Sequence, residues 1–415
     1  MNKTFNQPII TSLLDTDFYK FTMWKFICEK YPDLAVTYEL KNRTTKYPLG
    51  DVIDLDELCN ELDNVRELSF TKDELRYLRR LLVNGKNLFN DSDIERLQDL
   101  ILCDYELDLD DSQLKLSFSG NWQDAIFWET FALSIINELY YRTILTPYGV
   151  RGTRDIGQEN LEKKMRILNV FPDIKFVEFG TRRRFSRTWQ ENVLRQLYSD
   201  CHGLLGSSNV NLCRDLDITP FGTMAHELFM VAPCLVSKSS DGDFQPYHDA
   251  YYKMIDDWYD MFSPNLLTLL TDTYGSDFTF RTMGKERALK WSGLRQDSGD
   301  PDVFVQKALK MYRDYDIRTQ DKTIVFSDGL DVSKILYLYD KYKNDFNVVF
   351  GWGTDLTNDL GVHPLSLVVK VTSVNEKEAG KLSDNIAKAS GSETAIYFLS
   401  CIFDYKNDFT EPCKY

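Results

Sequence analysis

The sequence predicts an α/β chain in two parts, an amino-terminal α+β domain followed by a β/α barrel, and three observations carry that prediction. From about residue 174, short apolar runs repeatedly end in a polar or glycine-containing loop and lead into an amphipathic stretch. The first third is different: it is charge-dense, lacks glycine-rich loops, and spaces Leu and Ile at helical intervals. Finally, 415 residues are enough for a barrel of about 250 residues beside a second domain.

Taken in chain order, KDELRYLRRLLVNGKN (from Lys72) and DSDIERLQDLILCDYELD (from Asp91) read as helices with one polar face. The segment WQDAIFWETFALSIINELYYRTI from Trp122 has apolar residues on more than one face, which predicts a largely buried helix joining the two parts. Its periodicity does not assign a role to Glu129 or Glu138. Next, Ile174 to Phe179 runs into GTRRR and the amphipathic SRTWQENVLRQLYSD; Thr323 to Phe326 runs into SDGLD and VSKILYLYDKY; Asn347 to Phe350 runs into GWGT. This succession predicts parallel strands whose carboxyl-end loops build a site. The change of rhythm places the boundary near residue 140, giving domains 1–140 and 141–415, with the carboxyl-terminal segment returning to the first.

A net charge of −15 argues against a nucleic-acid surface, which needs concentrated Lys and Arg, but leaves room for a local anion pocket. The eight cysteines form no C-x-x-C pair and no metal-ligand rhythm, as expected of reduced thiols. MNKTFNQPII has no apolar leader, and no run approaches about 18 apolar residues. The expectation is a cytoplasmic protein with no membrane and no nucleic-acid partner.

Four loops carry the candidate chemistry. LRQDSGDP (294–301) combines a fixed cation, two acids and a tight-turn glycine, a set suited to a phosphorylated sugar. Arg295 can grip an anion bidentately, and Asp297 can accept from sugar hydroxyls or hold Mg²⁺ through water. Asp300 before Pro301 is explained by helix capping alone. In FSDGLD (326–331), Asp328 is the ribose candidate and Asp331 an N-cap. In FGWGT (350–354), Gly351 and Gly353 open the backbone to a phosphate and Thr354 adds a hydroxyl, although such loops are commonly plain turns and Asp355 works against an anion. In FGTRRR (179–184), Arg182 is the arginine favoured to enter the site, against the alternative of a solvated basic cluster. Of four histidines, His226 in TPFGTMAHELF follows a Pro/Gly turn; as neutral imidazole it can attack a terminal phosphorus and store the group as an N–P bond, or it can be structural. Zinc spacings are absent.

Taken in order, LLDTDFYKFTMWKF (13–26), FGTRRR, GSSN (206–209), PFGTMAHE (220–227), LRQDSGDP, FSDGLD, FGWGT and KLSD (381–384) resemble the nicotinate phosphoribosyltransferase family over nearly the whole chain. The resemblance implies an irregular β/α barrel beside the amino-terminal α+β domain. It also implies transfer of a phosphoribosyl group from 5-phosphoribosyl 1-diphosphate to nicotinate, with ATP as co-substrate and Mg²⁺. By the matching motifs, His226 is the histidine that ATP phosphorylates, and Tyr19 and Phe179 flank the pyridine ring. Tyr19 is expected to reach a neighbouring subunit's site, which implies a homodimer. Arg182 and Arg295 stand near the substrate carboxylate and phosphates. Asp297 and Asp328 are the ribose and Mg²⁺ acids, and Gly353 with Thr354 forms the 5′-phosphate loop.

Preference for the acid over the amide rests on GSSN, where Ser207 and Ser208 are expected to donate to a carboxylate that the aspartate of related nicotinamide enzymes would repel. This chain has Ser207 where Thr is commoner, and a bulky Trp352 in the glycine loop. The competing readings are a nicotinamide-specific phosphoribosyltransferase and a non-catalytic sensor of pyridine nucleotides.

Overall fold

The computed structural model describes residues 7–83, 85–145, 147–237 and 242–412. In chain order the strands that matter here are β1 (Ala35–Asn42), β2 (Tyr105–Asp110), β3 (Gln113–Asn121), β4 (Lys175–Glu178), β5 (Leu204–Ser207), β6 (Thr268–Leu270), β7 (Gly293–Gln296), β8 (Thr323–Phe326), β9 (Asn347–Trp352), β10 (Leu367–Val374) and β11 (Lys377–Glu378). Six of them form a parallel sheet in the order β5-β4-β9-β8-β7-β6. Among the described residues no pairing joins β5 to β6, so the barrel is irregular and not a closed cylinder.

The second sheet is antiparallel, ordered β11-β10-β1-β3-β2. Its centre pairs opposite ends of the chain, β1 with β10, so a late strand completes the amino-terminal sheet. The sequence of β10, LVVKVTSV, is β-branched and buried at most positions, and Lys370 is the charged exception.

The helices that hold the site are α1 (Phe18–Lys30), α2 (Trp128–Ile144), α3 (Arg187–Asp200), α4 (Val210–Leu216), α5 (His226–Val231), α6 (Pro301–Asp314) and α7 (Val332–Tyr342). α2 is the predicted buried helix: every residue from Trp128 to Tyr141 is buried. It anchors the turn after β4 directly, because the Ser134 hydroxyl donates to the Thr181 carbonyl at 2.9 Å and Asn137 Nδ2 to the Arg182 carbonyl at 3.3 Å. The capping expectations hold as well. Asp300 Oδ1 accepts from the backbone N–H of Asp302 and Val303 with Pro301 opening α6, and Asp331 accepts from Lys334 N–H at the start of α7. The described cysteines are all free thiols.

Candidate active site

The loops at the carboxyl ends of β4, β7, β8 and β9 converge on one cavity of about 300 Å³. Tyr19 on α1, Phe179 and Arg182 after β4, His226 on α5, Arg295 and Asp297 at β7, Asp328 after β8, and Gly353 with Thr354 after β9 all line it. Nine of the eleven residues singled out from sequence therefore share one space. Seven cationic side chains line that space, Arg43, Arg182, Arg183, Arg295, Lys370, Lys381 and Lys388, against five acids. In a chain of net charge −15 this is a concentrated anion site.

The aromatic end is braced by carboxylates. Tyr19 donates its hydroxyl to Glu129 Oε2 at 2.8 Å, and Arg182 reaches Glu129 Oε1 (3.1 Å) and Asp17 Oδ2 (3.2 Å) while a third of its side chain stays exposed. Glu129 is held well below the usual carboxylate range: burial opposes this, but the Lys20 ammonium and the Arg182 guanidinium outweigh it. Gly351 is required beside Phe179, since a Cβ there would meet the ring at 2.5 Å.

His226 sits between two acids, its Nε2 lying 2.9 Å from Asp272 Oδ1 and 3.4 Å from Asp297 Oδ2. Burial, followed by the nearby Lys381 ammonium, pushes the imidazole down to about 4, so near neutral pH the ring is uncharged and keeps a lone pair. Asp272 anchors this arrangement. Its Oδ2 accepts from Ser298 (2.5 Å), Ser383 (3.3 Å) and Lys381 (3.1 Å), so the KLSD segment wraps the carboxylate that orients the histidine. His226, Asp272 and Asp297 could together bind a metal by geometry, but Asp272 is already saturated by these donors.

Asp297 Oδ1 accepts from Arg295 Nη2 and the Ser327 hydroxyl, each at 2.8 Å, and Asp328 Oδ1 accepts from Lys388 at 2.5 Å. The second oxygen of Asp297 faces His226 Nε2 at 3.4 Å, so the two acids are tied to the basic and imidazole groups that line the cavity.

One expectation is corrected. Ser207 and Ser208 do not line the cavity: Ser207 donates to Glu178 Oε2 at 2.5 Å and Ser208 to Asp17 Oδ1 at 2.7 Å, both buried. Buried carboxylates need donors, and the two hydroxyls satisfy them. Ser208 therefore acts at one remove, through Asp17 on Arg182. Tyr19, for which the resemblance implied a reach to a neighbouring subunit's site, lines the cavity of its own chain together with Phe179.

The basic triplet divides by role. Arg182 and Arg183 line the cavity, whereas Arg184 is fully buried and grips Asp15 with two bonds of 2.7 and 2.8 Å. Trp352 is also buried, edge-on to Phe176 and bonded through Nε1 to Asp355 Oδ2 at 3.1 Å, so it packs beneath the glycine loop. Asp355 is occupied by that bond and by Lys164.

Sequence reasoning missed Asp272, Arg43, Lys370 and Lys388. Asp272 had a signal, because TLLTD repeats the rhythm of an apolar run ending in a polar loop. Lys370 had one too, as the lone charge in an apolar strand; burial first, then Lys381 and Arg43, lower it to about 7. Arg43 lies on an irregular segment and Lys388 ends the short 3₁₀ turn Ile386–Lys388, and neither carries a local mark.

Ser208→Asp is expected to set two carboxylates against each other behind Arg182 and to raise the KM for an acidic substrate roughly tenfold, about 1.4 kcal/mol. Steady-state kinetics check this, and an unchanged KM would show that Arg182 does not depend on the Asp17 contact.

A model of the nicotinate phosphoribosyltransferase (NAPRTase) family matches residues 174–407, and that of the family's N-terminal domain matches residues 14–137. Among solved structures, the chain is similar to a nicotinate phosphoribosyltransferase from Porphyromonas gingivalis, with TM-score 0.84 and 28% identity, covering 96% of this chain and 100% of that one. It is likewise similar to one from Vibrio cholerae, with TM-score 0.85 and 28% identity, covering 97% and 96%.

Proposed function

The chain belongs to the nicotinate phosphoribosyltransferase family, and from that premise we infer that its cavity joins nicotinate to 5-phosphoribosyl 1-diphosphate, yielding nicotinate mononucleotide and diphosphate in NAD salvage. The observation that carries the reading is the meeting of an aromatic end, a neutral carboxylate-held histidine and a cluster of lysines and arginines in one cavity. A flat acid and a polyanionic sugar are complementary to that combination.

In this reading Tyr19 and Phe179 flank the pyridine ring, and Arg182, braced by Glu129 and Asp17, faces its carboxylate. Gly353 and Thr354 receive the 5′-phosphate. Arg43, Arg295, Lys381 and Lys388 stand against the departing diphosphate as positive charge develops at the ribose C1. The ring nitrogen attacks without a general base, so orientation and charge dominate. Asp297 and Asp328 would hold Mg²⁺ through water, and the bound ion supplies further positive charge to the leaving group.

ATP coupling enters through His226. The free ring nitrogen attacks the terminal phosphorus of ATP, an N–P bond forms, and ADP leaves with the electrons of the broken P–O bond. The added negative charge and acceptor oxygens order the loops around it and favour the tight-binding form.

Tyr19 and Phe179 of one chain line one cavity, which supports a site complete within each chain of the expected homodimer. Specific activity that stays constant on dilution through any dissociation would agree. Among the described residues no helix is long and apolar enough to cross a membrane, and the proposed location is the cytoplasm.

The deciding experiment compares diphosphate release with nicotinate and with nicotinamide. Release with the acid and little with the amide is expected. Preference for the amide would favour the nicotinamide enzyme, and tight nucleotide binding without release would favour the sensor.

A further inference from the structure

Lys20 shares its motif with Tyr19 but does not line the cavity, and its side chain has no exposed surface. Its ammonium stands 2.7 Å from Glu129 Oε2 and 2.7 Å from Glu227 Oε1. At one end of this bridge, Glu129 also holds the Tyr19 hydroxyl and Arg182 Nη1. At the other, Glu227 follows His226 in the first turn of α5 and is hydrogen-bonded by Tyr38, whose hydroxyl accepts from Trp122 Nε1 at 2.8 Å.

The ammonium is thus shared between the helix that carries the imidazole and the carboxylate that braces the aromatic end. In a dry interior such a pair of contacts is stiff, because an ammonium that leaves one carboxylate has no water to replace it. Glu227 is the weaker holder of negative charge: burial raises it above its usual range, while Lys20 and Arg182 keep Glu129 below. New negative charge one residue away disfavours an ionised Glu227 and leaves Lys20 more fully to Glu129. Glu129 then redistributes its hold on Tyr19 and Arg182.

We propose that the Glu227–Lys20–Glu129 bridge is a positioning device that couples the state of His226 to the hold of Tyr19 and Arg182 on the pyridine acid, with Lys20 as its central residue. This rests on the roles inferred above for His226 and Arg182. A merely structural bridge would affect stability and leave the response to ATP intact.

The test measures the nicotinate KM with and without ATP, together with acid-labile label from γ-labelled ATP, in the full chain and two variants. Glu227→Gln keeps the Lys20–Glu129 pair. Lys20→Met/Glu227→Gln removes the ammonium without leaving two ionised carboxylates facing each other. In the unmodified protein ATP is expected to lower the KM at least about fivefold. Both variants are expected to take up label yet show a KM that ATP changes by less than about twofold. Variants that take up label and keep the full ATP response overturn the bridge and leave the histidine reading standing. An unmodified protein with neither label nor ATP response overturns both.

Discussion

His226→Asn is expected to fold and to take up no acid-labile, base-stable label from ATP and Mg²⁺, whereas the unmodified chain does. The reason is local. The imidazole presents its Nε2 to Asp272 at 2.9 Å and is held uncharged by burial and by Lys381, so it offers a nucleophilic nitrogen near neutral pH. Asparagine can keep a hydrogen bond to Asp272 and spare the Ser298–Asp272–Lys381 cluster, but it has no nucleophilic nitrogen to form an N–P bond. The loss is therefore expected to be complete for the label and for any ATP stimulation, with basal transfer reduced far less. Label persisting in the variant, located by peptide mapping, would assign the phosphoryl group to another residue.

Arg184→Ala is expected to cost the fold about 3–5 kcal/mol, because it strands Asp15 in a site with almost no solvent access. The remaining donors, Asn209 Nδ2 at 2.7 Å and Arg187 Nε at 3.5 Å, do not replace a bidentate guanidinium. Asp15→Asn/Arg184→Met is expected to recover much of the loss, since removing both charges leaves no unpaired ion. Arg195→Ala serves as the comparison: its pair with Glu191 is exposed, and its loss should fall below about 1 kcal/mol. Urea titration of the three variants decides the matter, and equal losses for Arg184→Ala and Arg195→Ala would refute the buried-pair argument.

These two predictions concern residues that the sequence displayed with different clarity. His226 was legible because it lies in an ordered set of motifs, though nothing nearby in sequence indicated that Asp272 orients it. Arg184 was one of three adjacent arginines. The turn after β4 sends Arg182 and Arg183 to the cavity and Arg184 into the interior, a division set by the short helical turn Thr181–Arg183 and the α2 side chains that hold its carbonyls. GSSN was recognisable as a motif and misplaced as a contact, because its hydroxyls satisfy carboxylates whose positions arise from distant segments. Lys370 joins the site only because β10 crosses back to pair with β1.

Local patterning was enough to establish the alternation of strand and helix, the capped starts of α6 and α7, the buried central helix, and the loops that meet at the carboxyl ends of the parallel strands. Those features depend on periodicity and on contacts a few residues apart, which a linear chain records directly. Chain folding alone settled which charges face the cavity and which are paired behind it, as with Arg182 against Arg184, Lys370 against Lys20, and the serines turned toward Glu178 and Asp17. A charged side chain goes to whichever partner lies within a few ångströms, and in this protein those partners come from segments tens to hundreds of residues away.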